Sequence, residues 1–397
     1  MKKVLAINSG SSSFKFKLFS LPDEKVVAKG MADRVGLPEA SFKIVLSDGN
    51  EHIEHEEIPD QEAAVNLLIK DLKKYHVVKD LNEIVGVGHR VVSGGEIFKD
   101  STVVDQNVLQ KIKDLSNFAP LHNPAEARGI EAFMHVLPKV PQIAVFDTSF
   151  HQTLDPVHYL YSIPYDYYKK YGARKYGAHG TSVHYVTLEA AKMMQKDLKD
   201  LKLIICHLGS GSSITAVKNG KSYDTSMGFS PLSGITMGTR SGDIDPSLLQ
   251  HLMHETGISM DEMINILNTK SGLLGISGIS SDMRDLKYNK NPRAVLAREI
   301  FLNRIVRYIG AYIAEMGGVD GIVLTAGVGE GDVGMRQAIM DAFKYMGVNP
   351  DYEANKTNGQ KFITKPDSSI QVMVIPTNEE LMIARDVMRL TKCAVLA

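Results

Sequence analysis

Apolar positions along this chain fall into short runs that stop at small-residue turns. Residues 3–7 are apolar enough to read as a buried strand. From Phe14 to Phe19 apolar residues alternate with lysine, the mark of a half-exposed antiparallel strand. Lys25–Ala32 continues that meander, and residues 61–75 switch to helical spacing. Ile84–Val92 reads as a strand ending near Gly94-Gly95. Asn123-Pro124 opens a helix, because proline suits a first-turn position. Gln142–Phe146 is a buried strand that stops at Asp147. The expected order over the first 150 residues is three strands, helix, strand, helix, strand.

The second half repeats this order. Strands are expected at 202–208 and 213–218, joined onward by a hairpin at Asn219-Gly220. Helices follow near 247–255, 260–268 and 292–316. A strand at 320–325 runs into Ala326-Gly327-Val328-Gly329-Glu330-Gly331, with a helix from about Gly334. A strand at 370–375 and a helix at 378–390, N-capped by Asn378, close the pattern. Three strands followed by alternating helices and strands, twice, predict an α/β fold with a mixed sheet in each half and a ligand cleft between the halves.

The repeat is sharpest at two turns lying half of the 397 residues apart. The first is Asn8-Ser9-Gly10-Ser11-Ser12-Ser13; the second is His207-Leu208-Gly209-Ser210-Gly211-Ser212-Ser213. Each follows an apolar strand and leads into another. Glycines let backbone N–H groups converge on an anion, and serine hydroxyls add donors. Two such turns point to two related domains that share a polyphosphate.

Charge and composition narrow the classes. A formal net charge of −1 gives no support to a nucleic-acid or anionic-membrane partner. No apolar run approaches the roughly 18 residues of a membrane span. Two cysteines exclude a disulfide framework, and Cys206 sits in an apolar run as a small buried hydrophobe. A cytoplasmic location is expected. A Walker loop is absent: it would need glycine where Thr215 stands before Gly220-Lys221-Ser222. A dinucleotide fingerprint would need glycine at Ile214, which disfavours a dehydrogenase.

The charged candidates lie in glycine-rich surroundings. Arg90, in Gly88-His89-Arg90, sits near a strand's end, and Arg240 lies in Gly238-Thr239-Arg240-Ser241-Gly242. A guanidinium binds carboxylate or phosphate with two parallel bonds, and phosphoryl transfer benefits from paired cations. His179 lies between Ala178 and Gly180 just before a helix, and His122 lies in a Pro-Leu-His-Asn-Pro loop. His184 and His254 fall within helices and read as structural. Asp147 marks a strand exit, the usual approach to an α/β active site. Glu379 and Glu380 begin the last helix, where they suit either the helix dipole or a magnesium ion.

Together these strings resemble the acetokinase family over almost the whole chain. NSGSSSFK resembles its N-terminal signature and RKYGAHGTS its second. HRVV, PLHNP, CHLGSGSS, DTSMGFSPLSGITMGTRSGDIDP, TAGVGE and PTNEE match further blocks in order. The resemblance implies duplicated actin-like ATPase (ribonuclease H-like) domains closing over ATP at an interdomain active-site cleft. The expected domains are 1–150, with a C-terminal helix 380–397 packing back on it, and a nucleotide-binding domain 151–379.

It also implies magnesium-dependent, or manganese-dependent, in-line transfer from ATP to acetate, giving ADP and acetyl phosphate, by a homodimer. The implied catalytic residues are Arg90, Asp147, His179 and Arg240. Arg90, Val92, Leu121, Ala178 and Pro231 would bind the acid. Ser11, Ser13, Lys15, His207, Leu208, Gly209, Ser210, Gly211, Asp282, Met283, Arg284, Gly327, Val328, Gly329, Glu330 and Gly331 would bind the nucleotide. Asn8 and Glu379, rather than Glu380, would hold the metal. Four positions depart from the family pattern: Ala178 replaces a phenylalanine, Ser210 and Gly331 replace asparagines, and Ser93 replaces a histidine. The alternatives are a propionate or butyrate kinase, a sugar kinase with Asp147 as base, and a nucleotide-gated actin- or chaperone-like binding protein.

Overall fold

The computed structural model describes residues 1–120 and 122–392. They divide into two compact units. The first is Met1–Ser149 together with the C-terminal segment from Asn378; the second is Phe150–Thr377. Glu379 therefore falls in the first unit.

The first unit carries strands β1 (Lys3–Ser9), β2 (Ser13–Ser20), β3 (Val26–Asp33), β4 (Ser41–Leu46), β5 (Glu51–His55), β6 (Ile84–Val91), β7 (Thr102–Val103) and β8 (Gln142–Phe146). They form one sheet in the order β5-β4-β3-β2-β1-β6-β8-β7. The five-strand meander is antiparallel, β6 and β8 add in parallel, and β7 closes the edge antiparallel. Strand periodicity divides β1 between two cores. Leu5 and Ile7 pack with the helices Gln61–Lys74 and Asn123–Val136. Val4 and Ala6 pack with Ile383, Ala384 and Val387 of the helix Glu379–Leu390. Gly88 in β6 admits that helix, since a Cβ there would lie 2.4 Å from Ile383 Cγ2.

The second unit carries β9 (Lys202–Leu208), β10 (Ser212–Lys218), β11 (Lys221–Thr225), β12 (Gly321–Thr325), β13 (Lys361–Phe362) and β14 (Gln371–Val374), in the order β11-β10-β9-β12-β14-β13. β9–β11 are antiparallel, β12 and β14 add in parallel, and β13 closes the edge antiparallel. Ile204, Cys206 and Leu208 face a core built on the helix Pro292–Met316. Leu203 and Ile205 face the helix Gly180–Met194. Burial pushes the Cys206 thiol far above its ordinary range, so it stays a protonated hydrophobe.

The duplicated α/β architecture expected from the sequence is present. Two local readings need correction. Five strands, not three, precede the first helix; β5 is Glu51-His52-Ile53-Glu54-His55, too polar and half-exposed to stand out by apolar alternation. Residues after Thr325 form the short helix Ala326–Gly331, although glycine-rich sequence favours a loop. The hairpin at Asn219-Gly220 forms with both residues at positive φ, 56° and 76°. The last helix is described as Glu379–Leu390; the end of the expected 380–397 helix, with Cys393, lies outside the described residues. Among the described residues no helix is long and apolar enough to cross a membrane.

Candidate functional site

In the first unit, parallel pairing sets the charged residues side by side. Arg90 pairs in register with Val145, and the ladder runs on through Asp147 N–H donating to the Val91 carbonyl at 2.9 Å. Arg90 Nε and Nη2 both donate to Asp147 Oδ2, at 3.0 and 2.6 Å. Asp147 is 1% exposed, so this pair is largely out of water. Burial alone would lower the Arg90 guanidinium's hold on its proton. The negative charges of Asp147 and then Glu379 outweigh that and raise it.

Two further carboxyls share this field. Glu126, 2% exposed, accepts the Val92 N–H at 2.9 Å. Burial pushes its carboxyl up to about 8, with Arg90 pulling the other way. Glu379 is half-buried at the start of the last helix. Burial pushes it up to about 7, with Arg90 lowering and Asp147 and Glu380 raising it. Glu380 itself pairs with Lys17 at 3.0 Å. Asn123 brackets Ser93, accepting its N–H at 3.1 Å and donating to its carbonyl at 2.9 Å. Asn8 and Lys15 are cross-strand neighbours in β1 and β2, beside the turn that carries Ser11 and Ser13.

In the second unit, His179 occupies a left-handed conformation (φ 60°) as the residue before the helix Gly180–Met194. A non-glycine residue held there is strained, a feature that recurs at ligand sites. Its Nδ1 lies 2.9 Å from Ser213 Oγ, and its ring stacks on His207 with centroids 4.1 Å apart. His207 Nδ1 lies 2.8 Å from Ser182 Oγ, which lies 2.7 Å from Thr377 Oγ1. Arg240 Nη1 donates to the Pro231 carbonyl at 2.7 Å, and burial weakens its hold on its proton. At Gly211 a Cβ would stand 2.9 Å from Arg240 Nη2 and 3.4 Å from His179 Nε2. Both side chains thus close on the turn, and a Cβ there would press first on the Arg240 guanidinium.

Beside that turn lies a cavity of about 560 Å³. Gly209, Ser210, Asp282, Met283, Arg284, Gly327, Val328 and Gly331 line it, together with Lys287, Tyr288 and Phe301. Its glycine-rich wall begins at Ala326, another non-glycine residue at positive φ, 61°. A Cβ at Gly331 would meet nothing within 4 Å, so a larger side chain there would project into open space.

Several expected residues stand elsewhere in detail. Leu208 is fully buried in the core, and Gly329 abuts the end of β12. Glu330 Oε1 accepts the Thr377 N–H at 3.2 Å. Ala178 is buried with Met227 and Met237. Leu121 lies outside the described residues. The sequence reading missed Glu126, whose only signal was an acid in the first turn after His-Asn-Pro. It also missed the His207–Ser182–Thr377 chain, Lys287 and Tyr288, which no local pattern marks.

The acetokinase family model matches residues 3–385. An acetate kinase of Limosilactobacillus fermentum is 54% identical, aligned over 99% of this chain and 100% of its own length. The crystal structure of Porphyromonas gingivalis acetate kinase superposes with a TM-score of 0.93 at 41% identity, covering 98% of this chain and 99% of that one. A propionate kinase from Francisella tularensis gives 0.90 at 40% identity, covering 97% and 99%. A family match across nearly all of the chain, and relatives this similar over their full length, establish that the chain belongs to the acetokinase family.

Proposed function

We propose that this chain catalyses reversible phosphoryl transfer between ATP and acetate, giving ADP and acetyl phosphate. The observation that carries the reading is a nucleotide-sized cavity bordered by the Gly209–Gly211 turn on which Arg240 and His179 converge. Acetate is ionised at neutral pH, so no base need deprotonate it. The difficulty is one anion attacking another. In a largely dissociative transfer, positioning and charge neutralisation supply the rate. Arg240 and His179 are assigned to the moving phosphoryl group, and Arg90 to the acid. Asp147, bonded to Arg90 through one oxygen, orients that guanidinium rather than accepting a proton.

Magnesium fits the carboxyls present. Glu379 sits among Asp147 and Glu380 with its proton affinity raised, which a divalent cation would relieve. Glu379, with Asn8, would hold the ion, and a bound ion supplies charge neutralisation on the phosphates. Hydroxylamine trapping of product from acetate, ATP and magnesium tests the reaction. Acyl hydroxamate is expected; ATP hydrolysis without it would overturn the assignment and favour a nucleotide-gated binding protein.

Propionate use is the second reading, favoured by the small Ala178 beside flexible Met227 and Met237. Comparing kcat/KM for acetate, propionate and butyrate decides between them. The same reading makes the chain a homodimer working in the cytoplasm, where ATP is available. The exposed Val157, Ile163, Tyr165, Tyr167 and Tyr171, close together in sequence, offer apolar surface for a second copy. Sedimentation giving a monomer at working concentration would remove that part.

A further inference from the structure

We propose that His158, Asp224 and Glu315 form a binding site for a zinc-class divalent cation, built from residues that phosphoryl transfer does not use. The three come from separate elements: the helix Pro156–Tyr159, strand β11 and the last turn of the helix Pro292–Met316. One ligand atom from each lies within 4.8 Å of the others. His158 Nδ1 stands 3.8 Å from Asp224 Oδ2, too far for a hydrogen bond. The other Asp224 oxygen is already engaged, by the Lys175 ammonium and by the Thr225 N–H at 2.6 Å. Oδ2 is thus left facing the imidazole across a gap.

A second observation lies on the same helix. The Tyr312 hydroxyl is buried and has no hydrogen-bond partner among the described residues. It stands three residues before Glu315 on the same helix. Burial and then the charge of Asp224 raise its phenol, with Tyr308, Glu315 and Asp243 also acting on it. A buried hydroxyl of this kind needs a partner, and a water on a bound cation would supply one. The helix that carries Glu315 has no basic residue in its last turn, so its negative end is uncompensated there.

The donor set identifies the class of ion. One imidazole nitrogen with two carboxylate oxygens suits zinc or cobalt rather than calcium, with one position left for water. Metal–ligand distances near 2.1 Å put tetrahedral ligand atoms about 3.4 Å apart. The present set needs only a small closure to reach that. The ion would fasten the start of the 156–175 segment to the sheet and to the long helix.

Cobalt titration of the chelator-stripped full chain tests this, read by the visible d–d absorption of bound Co²⁺ and by equilibrium dialysis. One Co²⁺ per chain with the intense spectrum of a four-coordinate centre is expected, displaced by zinc. His158→Ala should abolish that spectrum. Glu315→Gln, at an exposed position that leaves the fold intact, should weaken binding about 10- to 100-fold. Wild-type binding in both variants, or only the weak spectrum of a six-coordinate oxygen site, would overturn the proposal.

Discussion

The two units share one sheet plan and differ in what stands at the ends of the strands. β3-β2-β1-β6-β8-β7 and β11-β10-β9-β12-β14-β13 have the same order and the same directions, down to the two-residue antiparallel edge. In the first unit β6 ends beside Arg90 and β8 runs into Asp147, with Glu126 and Glu379 in their field. In the second unit β12 runs into Ala326 and a glycine-rich wall, and β14 leads to Thr377, whose hydroxyl joins a serine–histidine chain. The first unit gathers carboxyls around Arg90; the second keeps a cavity with glycines along one wall. One scaffold thus supports two kinds of chemistry, because a sheet fixes strand ends in space whatever side chains they carry.

The most severe test of this contrast is Asp147→Ala. It leaves Arg90 without its buried partner and should cost about 3–5 kcal/mol in chemical unfolding. A loss under about 1 kcal/mol would mean the pair is solvated like a surface bridge. Next come Arg90→Ala and Arg240→Ala, one in each unit. Each should lower kcat by about 10²–10³. Turnover within threefold of wild type in both would remove the charge-neutralisation account.

Ala178→Phe sharpens the second unit's side of the contrast. Filling space next to Met227 and Met237 should cut propionate kcat/KM relative to acetate, by roughly 10–200-fold at most. An unchanged ratio would show that the methionines move aside, or that the acid binds elsewhere. Gly211→Ala pushes a Cβ against Arg240 and His179. Overpacking of about 1–3 kcal/mol is expected, seen as lost kcat with KM for ATP less affected.

The last test concerns pH. Glu126 has an ordinary value of 4.5 and is pushed up to about 8 when folded. Between those values the folded state binds more protons than the unfolded one, so stability contributed below 4.5 is lost as pH rises toward 8. Glu126→Gln should flatten that slope in unfolding free energy against pH. An unchanged slope would place the titration on other groups.

Much of this architecture was legible from local pattern. Apolar runs marked β1, β6, β8, β9 and β12, because strands buried on both faces need no alternation to be recognised. Proline and asparagine marked the helix starts at Asn123 and Glu379, where these signals work through neighbouring residues alone. The turn repeat showed the duplication. Glu51–His55 stayed hidden because an edge strand is held by its neighbour's backbone, not by its own apolar side chains. Glu126 stayed hidden for a related reason: its carboxyl is perturbed first by burial and then by Arg90 and Val92, more than thirty residues away in sequence.

By itself, then, the sequence determined the period of each element, the doubled plan, and the residue types available for anion chemistry. Periodicity, turn chemistry and capping act over a few residues and need no partner. Tertiary structure alone decided that Arg90 would meet Asp147, that Gly211 would admit Arg240 and His179 at once, and that Asp224 would face His158 at 3.8 Å. Those outcomes depend on strand register and on what burial does to a charge. Both arise only when distant segments exclude water together.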